Sequence, residues 1–228
     1  MRKFAHRVAV RVIVISKMME NAYRKNKRIL RLPPLVDIND EIWNQQVNKA
    51  EAFTFSFVGF PGGDKENLDK IVKAFIKMGE IKTRLNIVGL TVDDFIAMYP
   101  EFSDTVFSEL SIDFRGICTH KEAIKHILDS DCYIFIRPDT RRSNAGFPTK
   151  FAESYTCGVP VITTNVSDIK DYQMKTDRVF LLNSTTTDEI ADVMSEVVVK
   201  YKQNRNYESD NSFDYNNYIE STREWLSR

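Results

Sequence analysis

The chain has 228 residues, of which 43% are hydrophobic and 28% charged, an ordinary globular composition that excludes a disordered, collagen-like or coiled-coil chain. Its 32 Lys and Arg balance 32 Asp and Glu, so no global field points to nucleic acid. Cys118, Cys132 and Cys157 are odd in number and widely scattered, and they read as reduced thiols of a cytosolic protein instead of a disulfide framework.

The balance hides an asymmetry. Residues 1–31 hold ten basic residues and one acid, Glu20, which leaves 22 basic and 31 acidic residues in 32–228. The basic start suits contact with an anionic membrane surface, so a cytoplasmic protein peripheral to the inner membrane face is expected. Its apolar run at 12–15 is too short to span a bilayer, and no signal-peptide core or cleavage site follows it.

In chain order, residues 1–9 read as helical, 11–15 as a strand, 17–25 as a helix and 29–32 as a strand stopped by Pro33-Pro34. The Pro33-Pro34-Leu35-Val36-Asp37 segment reads as a linker. From residue 53 the pattern is regular. Strands are expected at 53–59, 85–89, 112–115, 132–137, 159–163 and 179–182. Helices are expected at 66–78, 91–99 with Thr91 as N-cap, and 119–129 opened by a Thr119–Glu122 capping box. Two more follow, at 147–157 closed by Gly158, and at 187–202. The Asn-rich stretch 203–217 reads as a flexible linker, and 215–226 as a last helix.

Six strands alternating with helices imply an α/β fold, a Rossmann-like doubly wound parallel sheet. The expected organisation is 1–50 as the remnant of an N-terminal domain and its hinge, 51–202 as the Rossmann-like domain, and 203–228 as linker and terminal helix. In such sheets ligands sit at the carboxyl ends of the strands. The loop from Arg137 to the helix start is the densest candidate. It carries Arg137, Arg141 and Arg142, and then Gly146-Phe147-Pro148 opens a helix. Pro suits a first helical turn, where its missing N–H costs nothing. Free N–H groups near Gly146, Thr149 and Lys150, with the positive end of the helix dipole, form an anion site suited to phosphate. Glu153 shares a helix face with Thr149 and is placed to accept hydrogen bonds from sugar hydroxyls.

Gly146-Phe147-Pro148, Lys150, Glu153, Gly158 and Pro160-Val161-Ile162 together closely resemble the donor-binding motif of retaining GT-B glycosyltransferases of the family-4 type, the glycosyl transferases group 1. The resemblance extends over about residues 10–200. It takes in the Pro33–Asp37 hinge, Val58-Gly59 with Lys65, and Phe114-Arg115-Gly116. It implies the C-terminal, donor-binding half of a GT-B fold. The implied chemistry is a metal-independent hexosyltransferase of polysaccharide biosynthesis that uses a nucleotide-sugar donor and no cofactor. The acceptor would be a saccharide or a lipid-linked saccharide, and nucleic acid is not a partner. Lys65 and Lys150 would stabilise the departing diphosphate. Gly59, Ile117, Arg137, Gly146, Phe147, Pro148, Thr149, Lys150 and Glu153 would line the donor site, with Glu153 on the ribose.

Two positions depart from the pattern: Ala145 stands where the family has its first Glu, and Phe60 stands where it often has a diphosphate-binding Arg. Arg137, Arg141 or Arg142 is a candidate replacement. Lys65 also reads as a solvated loop charge, Glu153 as a surface helix residue, and His120 as part of a helix first turn. The Asp129-Ser130-Asp131 triplet lies at the amino end of its strand, away from the ligand side. The isolated chain is expected to be inactive without an acceptor domain. Two other readings stay open: a GT-B epimerase or hydrolase, and a non-catalytic donor-binding module that needs a partner chain.

Overall fold

The computed structural model describes residues 11–25, 28–62, 65–79 and 82–227; the helix expected over 1–9 lies outside them. The first described elements are two strands, β1 (Arg11–Val14) and β2 (Arg28–Arg31), paired in parallel, with a helix at Lys17–Tyr23 between them. Six more form a second sheet: β3 (Phe53–Val58), β4 (Thr83–Val88), β5 (Ile112–Phe114), β6 (Cys132–Phe135), β7 (Val161–Thr164) and β8 (Val179–Leu182). Their order is β5-β4-β3-β6-β7-β8, with every neighbour parallel. This is the doubly wound arrangement expected from the sequence. The order reverses between β3 and β6, which makes the carboxyl ends of those two strands the topological switch point.

The central strands are buried along their whole length because helices cover both faces. Every residue of β3, β6 and β7 is buried. The helices at Leu68–Met78 and Thr187–Tyr201 pack together over one face. Both expected N-caps are made: the Thr91–Asp94 and Thr119–Glu122 pairs each bond reciprocally. Gly158 ends the Thr149–Thr156 helix at φ +73°, in the left-handed region that favours glycine.

A short helix at Ile169–Gln173 stands where the sequence reading places no element, and three further segments differ from that reading. Residues 141–145, read as a loop, form a short helix capped by the Thr140 hydroxyl, which accepts from the Ser143 N–H. The helix expected from 147 starts at Thr149, because Phe147 and Pro148 are used as a buried approach. The stretch 203–217, read as a flexible linker, is a packed strap. Arg205 grips the fully buried Asp131, and the Tyr207 hydroxyl donates to the Asp131 carbonyl. Phe213 is fully buried, stacked on Tyr172 at 4.7 Å and set edge-on to Phe147, Phe151 and Tyr155. Hydrogen bonds from the Val36 N–H to the Phe213 carbonyl and from the Tyr215 N–H to the Val36 carbonyl then splice the strap to the Pro33–Asp37 segment. Asn-rich composition hid one aromatic anchor and one buried charge pair.

Described residues ahead of β3 also pack on the six-stranded unit. Asp168 accepts from the Lys17 N–H and from Arg31 Nη1 at 2.6 Å, and the Ser16 hydroxyl donates to the Ala145 carbonyl. The last helix, Ile219–Ser227, buries no residue; its Trp225 ring lies under Arg11 at 5.9 Å.

Candidate nucleotide-binding site

Three loops at the carboxyl edge turn on glycine. Gly59, Gly89 and Gly116 follow β3, β4 and β5 at φ +134°, +113° and +64°, a region that L side chains rarely adopt. Close approach explains two of them. A β-carbon on Gly89 would meet the Gly59 carbonyl oxygen at 2.7 Å. One on Gly59 would meet Lys150 Cε at 2.3 Å and Nζ at 3.0 Å. Two residues 91 positions apart in sequence are thus brought together, with the lysine chain laid across bare backbone at the switch point.

The Thr149–Thr156 helix that carries Lys150 is fixed from behind. Phe151 is fully buried among Phe147, Tyr155, Tyr172 and Phe213, which sets the rotation of the helix. Pro148 occupies the N-cap position and has no side-chain cap bond to give. The first N–H groups with helical acceptors are those of Phe151 and Ala152, both on the Pro148 carbonyl, so the Thr149 and Lys150 N–H groups face outward without one. The Gly146 N–H is not free as expected: it closes the Arg141–Ala145 helix onto the Arg142 carbonyl at 3.2 Å. Phe147 and Pro148 are buried, so their role here is to set the helix start.

Lys65 is exposed and has no ion-pair partner among the described residues. The turn that holds it is anchored at the switch point by the Asn67 N–H, which donates to the Ile136 carbonyl at 2.8 Å. Arg137 lies at the same edge, but its guanidinium is engaged with Glu66 at 3.0 Å. Ile117 is 88% exposed at the rim after β5. Arg141 and Arg142 are exposed on the short helix.

Glu153 is not a bare surface carboxylate. His120, the first residue of the His120–Asp129 helix, approaches it with Nε2 3.2 Å from Oε1. Both line a cavity of about 280 Å³ with Pro34, Trp43, Thr149 and Ala152. The Pro34–Asp37 segment therefore forms one wall beside Glu153. The sequence placed His120 in a helix first turn, which is correct; the Thr119–Glu122 capping box aims that turn at the neighbouring helix. Only tertiary packing reveals the pairing. Asp131, at the amino end of β6, serves the strap and accepts the Thr54 N–H.

Residues 52–199 match the family of glycosyl transferases group 1. The chain belongs to that family. Its parallel sheet and flanking helices are those of the C-terminal half of a GT-B fold. The chain is similar to Anabaena HepE in complex with UDP and glucose, at 17% identity and TM-score 0.70, over 99% of this chain and 65% of that one. It is similar to TarM at 12% and 0.71, over 100% and 46%. It is also similar to the pneumococcal O-GlcNAc transferase GtfA in complex with UDP and GlcNAc, at 15% and 0.64, over 96% and 45%. At these identities the likeness is one of fold, and the chain spans no more than 65% of any of the three. No curated protein matches the sequence. The Lys150 helix and its glycine neighbours lie within the matched span, while Pro34 and Trp43 lie before it.

Proposed function

We propose that this chain binds a nucleotide-sugar donor and supplies the donor half of a metal-independent, retaining glycosyl transfer to a saccharide or lipid-linked acceptor. The observation that carries this reading is Lys150 lying across Gly59 at the switch point, beside two helix N–H groups without helical acceptors. A diphosphate set there meets the positive end of a helix, the Lys150 ammonium and the exposed Lys65. Fixed donors of this kind gain most when charge develops on the leaving diphosphate, because they need no reorganisation as the glycosidic bond breaks. Site charge then does the work that a divalent cation does elsewhere. Glu153 accepts from the ribose hydroxyls, exchanging its contact with His120 for the ligand, and Ile117 gives the base an apolar surface. HepE and GtfA were each crystallised with UDP and a sugar, which supports a uridine nucleotide as the first donor to try.

Transfer also needs an acceptor held against the donor. The proposal for the described residues is donor binding, with turnover requiring an acceptor-holding surface. A thermal-shift panel of nucleoside diphosphates and nucleotide sugars in EDTA tests it. A rise in melting temperature for one nucleotide series and none for inorganic phosphate is expected. No shift with any nucleotide would remove the reading.

A further inference from the structure

A second cavity, of about 570 Å³, lies at the other end of the Lys150 helix and has no part in the donor reading. Three segments wall it: residues of 38–44, Thr156 in the last turn of the helix, and residues 209–211 of the strap. The Asp210 N–H donates to the Thr156 carbonyl at 3.1 Å and holds the strap against the helix end. Thr156 stands ~10 Å along the axis from Thr149, whose N–H faces the donor edge. Trp43 is the shared wall between this cavity and the one beside Glu153. The volume is that of a small-molecule site, ~300–1,000 Å³.

Two buried polar groups in this wall are unmet. Trp43 Nε1 and Thr156 Oγ1 have no hydrogen-bond partner among the described residues. A buried indole N–H ordinarily finds an acceptor, and a helical threonine hydroxyl ordinarily bonds back to a carbonyl one turn earlier. Thr156 is 1% exposed, so the unmade bond is costly there. Beside them Asn39, Asn44 and Asn211 contribute exposed amides. The lining also fixes the charge of what fits. Asp210 is the one ionisable side chain among the described lining residues, and the helix turns its negative, carboxyl-terminal end to the cavity. Both repel a phosphate or a carboxylate. Amides and a hydroxyl both donate and accept, as a ligand hydroxyl does, and the core-packed Trp43 ring adds apolar surface for C–H groups.

We propose that this cavity binds a neutral mono- or disaccharide. Its hydroxyls supply the acceptor that Trp43 Nε1 lacks and pair with Thr156 Oγ1, while the asparagine amides hold the remaining hydroxyls. Both orphaned atoms are shielded from bulk solvent, so the ligand meets them after a side-chain turn between rotamers. The site stands on the cavity and its lining, and it is independent of whether the opposite end of the helix binds a nucleotide.

The sequence has two tryptophans, so Trp225→Phe leaves Trp43 as the reporter. The full chain with that change is titrated with glucose, galactose, N-acetylglucosamine, maltose and glucuronate while Trp43 emission is followed. At least one neutral sugar is expected to change the emission saturably, and glucuronate to bind several-fold more weakly than the tightest of them. Thr156→Val keeps the side-chain shape. It should weaken that sugar about fivefold while the melting temperature holds or rises, because an unmet hydroxyl is gone. Should Thr156→Val fail to fold, Asn44→Ala, at an exposed position, decides by the same loss of affinity. UDP at saturation should leave the sugar affinity unchanged. No saturable change with any neutral sugar, unchanged affinity in the deciding variant, glucuronate binding as tightly as the neutral sugars, or competition by UDP would each overturn the proposal and leave a water-filled hollow. A chain that binds sugar but no UDP would remove the donor reading and keep this one.

Discussion

At Gly59 the room for a side chain is already taken by Lys150, and the backbone sits at φ +134°. Gly59→Ala therefore has to strain the turn and push the lysine chain aside at once. We predict a stability loss of ~1–3 kcal/mol by chemical denaturation, together with a loss of nucleoside diphosphate affinity. Retained affinity would separate Lys150 from the anion site. Glu153 gives a second residue-scale prediction. Replacing it by Ala should weaken nucleoside diphosphate binding by ~1–3 kcal/mol, the worth of hydrogen bonds to a charged group, while the fold survives. Equal affinities would return Glu153 to a helix-surface role. The thiols give a third. Burial pushes Cys157 up to about 12 and Cys132 well above its ordinary value, whereas Cys118 is half-buried and raised less. At pH 8 a thiol reagent should label Cys118 first in the native chain, and all three only after denaturation. Rapid native labelling of Cys132 or Cys157 would contradict the buried placement.

Among the elements, those with strong periodicity were legible in advance. The six strands of the main sheet, the Thr91 N-cap, the Thr119–Glu122 capping box and the Gly158 helix end follow from local chemistry that tertiary structure does not override. The motif block Gly146–Ile162 was equally legible, because glycine, proline and a buried strand in series leave few local alternatives. What escaped was long-range. Nothing near Glu66 announces Arg137, and nothing near Asp131 announces Arg205; each pair spans more than 70 residues. The 203–217 strap was misread because polar composition predicts disorder only when no anchor is buried, and Phe213 and Arg205 are anchors. The strap gives an element-scale prediction. Asp131 is fully buried and receives Arg205, Lys49 and the Thr54 N–H. Asp131→Ala leaves the Arg205 charge without its partner and should destabilise the chain by ~3–5 kcal/mol in urea unfolding. A loss below ~1 kcal/mol, the worth of an exposed pair, would mean that the strap is not held there.

Across the whole molecule, one sheet edge gathers what the loops bring separately. Glycine turns clear the edge of side chains, an aromatic cluster sets the rotation of the Lys150 helix, and the Asn67–Ile136 bond anchors the Lys65 turn beside it. The strap packs Phe213 against Phe151 and Tyr155 of the same helix, while the Pro34–Asp37 segment lines the cavity beside Glu153. None of the described helices is long and apolar enough to cross a membrane. The central claim is that this edge holds a nucleoside diphosphate with protein charge alone. The most direct test is calorimetric titration of a nucleoside diphosphate into the wild-type chain and Lys150→Ala, each with excess EDTA. Wild-type binding should be unchanged by chelation and weakened about tenfold or more by Lys150→Ala. Binding that disappears on chelation, or that Lys150→Ala retains in full, would contradict it.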